Sequence, residues 1–215
     1  MKLHWSPRSP YVRKVMITLH ETGRLSEVTQ VRTVVSAHEP PNPEILRDNP
    51  LGKIPALVTE EGVLFDSRVI CTWLDKDGAL LADSVQARRW QALADGATEI
   101  LLAWRTELTR PSGPWQPLTD SYRTKIRAVM ATLEGEAQLL ADVDFGAGHV
   151  ALVCYLGQLD FRWPDCNWRC AFPRLAQVAA TWEARPSVRA TAVRDDGGSD
   201  TSLTAGQLTF AKETP

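Results

Sequence analysis

Three short clusters in the first third of the chain combine side chains and backbone constraints suited to holding a thiolate and a small zwitterionic peptide. The first is Ser6-Pro7-Arg8-Ser9-Pro10-Tyr11-Val12-Arg13, where a strand gives way to a helix. A helix N-terminus presents free N–H groups and the positive end of its dipole, so it favours an anion. A serine there either caps the helix or donates its hydroxyl to a bound thiolate. The cluster has no cysteine, which argues against disulfide exchange. The second is Lys53-Ile54-Pro55, ahead of a strand. The residue before a proline is held extended and the X-Pro bond has a real cis population. A cis Ile54-Pro55 bond turns the Ile54 main chain outward to pair with an extended peptide, as a sheet edge does; a trans bond simply opens the strand. The third is Asp66-Ser67, just before Arg68. Capping accounts for one of these residues. In the ligand reading, the helix start and the Ser67 hydroxyl hold a carboxylate while Asp66 takes an ammonium group, the polarity of an α-amino acid.

Residues 3–6 read as a strand that breaks at Pro7. A helix then starts beside Pro10, with Val12, Val15, Met16 and Leu19 on one face and Gly23 placed to stop it. Residues 28–35 are rich in β-branched side chains and predict a second strand, whereas His38-Glu39-Pro40-Pro41-Asn42-Pro43 must be a loop. A short helix at 44–47 and a hairpin of 56–58 and 63–65 around Glu61-Gly62 follow. A helix then carries Val69, Ile70, Trp73 and Leu74. The order is β-α-β-α-β-β-α. From Ser84 the strand signals stop and helices are expected at 85–108, 122–140, 150–161 and 175–183.

A chain of 215 residues with 44% hydrophobic and 23% charged side chains can bury two modest cores. The expected division is 1–78 and 84–193, joined near 78–83, with a polar, loosely held tail at 194–215. A net charge of −2 without a long basic run argues against nucleic acid and membrane surfaces as partners. No apolar stretch has the length of a signal peptide core or of the ~20 residues that span a bilayer, which predicts a cytoplasmic protein. Cys71, Cys154, Cys166 and Cys170 show no CxxC spacing and read as reduced, partly buried thiols. Most of the eight tryptophans should be core or interface residues.

Taken together, Ser9-Pro10-Tyr11-Val12-Arg13-Lys14, Asn49-Pro50-Leu51-Gly52-Lys53-Ile54-Pro55-Ala56-Leu57 and Phe65-Asp66-Ser67 resemble soluble glutathione transferases, especially the bacterial group with serine in the active-site turn. Residues 157–162 and 185–191 are similar to that family's helical domain. The resemblance implies an α/β thioredoxin-like N-terminal domain, an all-α helical-bundle C-terminal domain and a homodimer. It implies that Ser9 activates the sulfur of glutathione, the co-substrate, and that Ile54, before a cis Pro55, pairs with the cysteinyl unit. Asp66 and Ser67 would hold the γ-glutamyl end. Lys53 and Arg68 are further contacts, or solvated charges. No metal is implied. By position, Pro7, Arg8, Trp104 and Glu107 are expected to line the pocket for a hydrophobic electrophilic small molecule.

The chain departs from the family pattern twice. Asp66 stands where most relatives have glutamate, and Gly146-Ala147-Gly148-His149 replaces a Ser/Thr-x-x-Asp capping box, so the reciprocal cap is expected to be missing. Glutathione-dependent isomerases, lyases and dehalogenases start from the same bound thiolate, and a non-catalytic binder can keep the fold. A thioredoxin-like reductase is disfavoured by the missing cysteine. Ser6 competes with Ser9 for the thiolate.

Overall fold

The computed structural model describes residues 1–36, 39–78, 80, 84–196 and 208–210. By packing, the chain forms two compact units, Met1–Asp83 with Pro186–Asp196, and Ser84–Arg185 with Gly197–Pro215.

In the first unit, β1 (Lys2–Trp5) leads through a tight turn into helix α1 (Pro10–Glu21), and then come β2 (Thr29–Arg32), α2 (Pro43–Asp48), β3 (Ala56–Thr59), β4 (Gly62–Leu64) and α3 (Ser67–Leu74). The element order matches the sequence reading and defines a thioredoxin-like α/β domain. Among the described residues one sheet forms, in the order β2-β1-β3-β4. β1 runs parallel to β2 and antiparallel to β3, with His4 opposite Ala56, and β3 pairs antiparallel with β4, with Leu57 opposite Leu64. Leu3, Leu57, Val15, Leu19, Ile70 and Leu74 form the centre of the core. β2 is shorter than expected: Val34 and Val35 lie past its end and are exposed. Their β-branched side chains extended the sequence pattern, but the ladder with β1 stops at Arg32.

The other side chain of β1 to be buried is His4. Its Nδ1 meets Thr33 Oγ1 at 2.8 Å and its Nε2 meets Asp48 at 2.6 Å, while Lys2 reaches the same carboxylate at 2.7 Å. Hydrogen bonds from Lys2 and then His4 hold the Asp48 carboxyl below its ordinary range. This cluster ties α2 to the sheet.

The second unit is all α among the described residues. Helix α4 (Val85–Leu108) starts at the Ser84 cap, whose hydroxyl accepts the Ala87 N–H at 3.0 Å. Helices α5 (Gln116–Gly135), α6 (Ala137–Asp142) and α7 (Ala147–Arg162) follow, then the short α8 (Trp168–Ala171) and α9 (Pro173–Glu183). The helix expected at 122–140 is thus two. It begins earlier, because Pro117 sits in the first turn, where its missing N–H costs nothing, and it breaks at Glu136. Glu136 accepts from Arg89 and from Trp90 Nε1 at 2.7 Å, and these bonds, Arg89's first, keep its carboxyl ionised below the usual range.

Helix α7 is buried along nearly its whole length, chiefly against α4. The chain comes closest at Gly148, where a Cβ would sit 3.0 Å from the Ala87 carbonyl and 3.1 Å from Trp90 Cβ. The missing cap is in part replaced. Gly146 has no side chain, but its N–H donates to His149 Nδ1 at 3.1 Å, the role a glutamate takes in a capping box. His149 is 2% exposed among Trp90, Phe145 and Trp182, with ring centroids at 5.6, 5.8 and 5.1 Å. Since Nδ1 accepts, Nε2 carries the proton and donates to the Leu140 carbonyl at 3.1 Å.

Two findings correct the reading of the C-terminal region. Helix α10 (Pro186–Ala190) belongs with the first unit: Arg13 donates to the Val188 carbonyl at 3.3 Å and Ser187 bonds Glu21. The tail expected to be loose is held at Leu208 and Phe210, both buried. The Phe210 N–H donates to the Cys166 carbonyl at 2.9 Å and its ring meets Phe172 edge-on at 5.2 Å. Residues 197–207 and 211–215 of the tail and most of the 78–83 link lie outside the described residues. Among the described residues none of the four cysteines forms a disulfide; Cys71, Cys154 and Cys166 are buried and Cys170 is exposed.

Burial holds the His149 pKa below its ordinary value, against the pull of the Leu140 bond. The unfolded chain therefore takes up this proton near pH ~6.5, before the native state does. Stability is complete above that pH and is lost as pH falls through the native value. We expect His149→Gln to cost about 2–4 kcal/mol at pH 7.5, and its Tm to fall less steeply than the wild type's between pH 7.5 and 5.5. Parallel Tm-against-pH curves in scanning calorimetry would remove His149 from this role.

Candidate active site

Sheet topology gathers the three sequence clusters. Because β3 runs against β1 and β4 against β3, the C-terminal end of β1, the approach to β3 and the end of β4 emerge at one edge of the sheet. Ser9, Ile54 and Asp66 therefore share that edge, and helices α1 and α3 both start there.

At the start of α1, Ser9 is the N-cap. Its backbone is extended (φ −83°, ψ 120°) and its Oγ accepts the Val12 N–H at 3.2 Å. A hydroxyl that accepts this bond still has its own proton to donate. Pro10 fills the first helical position, where a proline is pre-set for the helix. Ser9 is half-buried, whereas Ser6 is 7% exposed and its Oγ takes a long 3.4 Å contact from the Arg8 N–H. Of the two competitors, Ser9 is the more open to a ligand.

The Ile54-Pro55 bond is cis. Pairing of β3 with β1 begins at Ala56, so Ile54 lies outside the ladder. What shapes this approach is a residue the sequence reading overlooked. Asn49 is 1% exposed; its Oδ1 accepts the Leu51 N–H at 3.0 Å and its Nδ2 donates to the Lys53 carbonyl at 2.8 Å. Gly52, at φ +62°, closes the same turn. The available signal was the Asn-Pro-Leu-Gly run itself, since asparagine commonly bonds the backbone two residues on. Lys53 is exposed beside it.

At the start of α3, Asp66 is the N-cap, with Oδ1 accepting the Arg68 N–H at 2.9 Å and Oδ2 at 3.5 Å from Arg68 Nη2. Asp66 is exposed and Ser67 is buried at 4%. One side chain thus both caps the helix and leaves carboxylate oxygen facing solvent.

The expected electrophile contacts are distributed differently. Pro7 and Arg8 belong to the Ser9 turn, and the Pro7 carbonyl accepts the Arg194 N–H at 3.4 Å. Trp104 is fully buried inside the helical unit, its ring 5.5 Å from Trp163. Glu107, 6% exposed, accepts the Trp115 N–H at 2.7 Å and Arg110 at 2.6 Å, which fixes the loop before α5. A cavity of about 520 Å³ in the helical unit is lined by Val143, Phe145, Arg174, Trp182 and Arg185. None of the expected glutathione or electrophile contacts lines it. Among the described residues, no group of three or more His, Cys, Asp or Glu side chains is placed to hold a metal, and no helix is long and apolar enough to cross a membrane.

Comparison with known proteins agrees with this geometry. Residues 8–77 match the family model of the glutathione S-transferase N-terminal domain. An uncharacterized GST-like protein, YibF, of Escherichia coli K12 is 32% identical over 89% of this chain and 98% of its own. A glutathione transferase family member from Pseudomonas fluorescens Pf-5, solved with bound glutathione, is 40% identical with a TM-score of 0.84 over 90% of this chain and 99% of its own. A second structure from that organism, with bound S-(propanoic acid)-glutathione, is 38% identical with a TM-score of 0.79 over 91% of this chain and 100% of its own. The chain belongs to the glutathione S-transferase family.

The Asn49 bonds generate a prediction about the loop that presents Ile54. Asn49→Ala leaves the Leu51 N–H and the Lys53 carbonyl without their partner, at a cost of about 2 kcal/mol. Urea denaturation should show that loss as a lower midpoint at unchanged slope. A variant as stable as the wild type would mean that the turn is held without Asn49.

Proposed function

We propose that the protein is a glutathione transferase of the serine-dependent bacterial group, working as a cytoplasmic homodimer, with the glutathione site on its first unit. The observation that carries this reading is the meeting of two helix N-termini, capped by Ser9 and by Asp66, at one sheet edge beside Ile54. The glutathione bound to the similar Pseudomonas protein supports it.

In this reading the Ser9 hydroxyl donates to the glutathione sulfur and, with the first N–H groups of α1, favours the thiolate over the thiol. Serine is not itself deprotonated; the thiol proton goes to solvent. The sulfur lone pair forms a C–S bond with the electrophilic carbon. A leaving group departs with its electron pair, or, for an activated double bond, the neighbouring carbon takes a proton. Ile54 pairs its main chain with the cysteinyl unit ahead of Pro55, Lys53 makes a further glutathione contact, and Asp66 and Ser67 hold the γ-glutamyl ammonium and carboxylate. The electrophile lies against the Pro7-Arg8 turn.

Asp66 acts on the end of glutathione remote from sulfur, so it contributes uniform binding. In a conjugation assay with a chromogenic electrophile, Asp66→Ala should raise the KM for glutathione about tenfold with kcat within a factor of about three. An unchanged KM would take Asp66 out of the site. Retention on immobilised glutathione without turnover of a broad electrophile panel would replace the transferase with a binding protein.

A further inference from the structure

The turn that carries Ser9 also holds a buried arginine. Arg8 is 8% exposed, and its guanidinium pairs with Asp195 and, 2.9 Å from Nε, with Asp196. These two carboxylates come from the segment after α10, which the Arg194 N–H fastens to the Pro7 carbonyl. Asp196 also receives Arg32. Burial works against its charge, but the Arg32 hydrogen bond and the attraction of Arg32 and Arg8 keep its carboxyl below the ordinary range. Asp195 differs: half of its side chain is open to solvent. All these residues belong to the first unit.

A planar guanidinium matches a carboxylate better than any neutral group, and removing the partner of a buried charge is strongly unfavourable. Asp196 is shared with Arg32 and stays on Arg8, whereas the solvent-facing Asp195 is the carboxylate that can be exchanged for another. We propose that Arg8 recognises a carboxylate on the electrophile, that Asp195 holds that place until such a substrate displaces it, and that the preferred co-substrates are electrophilic carboxylic acids. This rests on the transferase reading and adds the substrate class. An acidic electrophile takes over the ion pair with its charge compensation intact. A neutral one of the same size leaves Asp195 where it is and gains nothing from Arg8, so the site discriminates by charge.

The test compares two conjugates with the same three-carbon chain, S-(2-carboxyethyl)glutathione and S-propylglutathione, with plain glutathione as reference, by titration calorimetry at pH 7. The wild type should bind the acid about tenfold more tightly than the propyl compound. That ratio should fall to about one in Arg8→Gln, recover in part in Arg8→Lys, which keeps the charge without the fork, and rise severalfold in Asp195→Asn. The Asp195 variant alters a half-exposed side chain and decides the matter even if Arg8→Gln fails to fold. A wild-type ratio near one, a ratio that survives Arg8→Gln, or a ratio lowered by Asp195→Asn would each overturn the proposal. Ordinary binding of plain glutathione alongside any of these would leave the transferase reading standing. Absence of glutathione binding would overturn both.

Discussion

Everything at the candidate site depends on one constraint: the first N–H groups of a helix have no partner within the helix. The sheet order brings two such helix starts, α1 and α3, to a single edge. Each is capped by a side chain that spends only part of its hydrogen-bonding capacity, Ser9 through one lone pair and Asp66 through one oxygen. What remains is a hydroxyl proton, a solvent-facing carboxylate oxygen 3.5 Å from Arg68 Nη2, and two positive dipole ends. Those are the complements of the cysteinyl thiolate of glutathione and of the ammonium and carboxylate groups at its γ-glutamyl end. The caps are structural by their geometry, and in the proposed function they also hold the ligand, which is why the residues could be read either way from the sequence.

The α/β half was legible because its signals are local. Val12, Val15, Met16 and Leu19 mark one helical face, Gly23 ends it, and the hairpin expected around Glu61-Gly62 turns one residue earlier, at Glu60-Glu61, with Gly62 already paired to Thr59; each signal acts within a few residues of itself. Local signals also explain the errors. Val34 and Val35 have strand-like side chains but no neighbouring strand to pair with, so β2 ended sooner. The helix expected from 122 starts at Gln116, because a proline such as Pro117 is excluded from helix interiors and not from first turns. Phe210 was lost in a polar composition although its ring and N–H are both held.

Of the site, Ser9, Ile54 and Asp66 could be located because each sits at a strand–helix or loop–strand junction with its own turn chemistry. Nothing local could have joined Arg8 to Asp195: they are 187 residues apart, and an Asp-Asp pair in a polar tail has no pattern that points to a partner. The placement of α10 with the first unit is what carries that segment to the Ser9 turn, through Arg13, Glu21 and Pro7. His149 shows the same limit in the helical unit. Its spacing from Gly146 marks it as a third helical residue, but its Leu140 bond and aromatic neighbours come from the fold.

The central claim is that the Ser9 hydroxyl makes the glutathione sulfur anionic. Its most direct measurement is the ultraviolet thiolate absorbance of enzyme-bound glutathione followed against pH in wild type, Ser9→Ala and Ser6→Ala. A free thiol titrates near ~8.5, and a shift of about two units corresponds to about 2.7 kcal/mol. The account predicts a wild-type midpoint well below the free value, a clear rise toward it in Ser9→Ala, and almost no movement in Ser6→Ala. A rise in the Ser6 variant alone would transfer the role to Ser6. A midpoint unmoved by either change would contradict the claim and leave the main-chain N–H groups of α1 to stabilise the thiolate unaided.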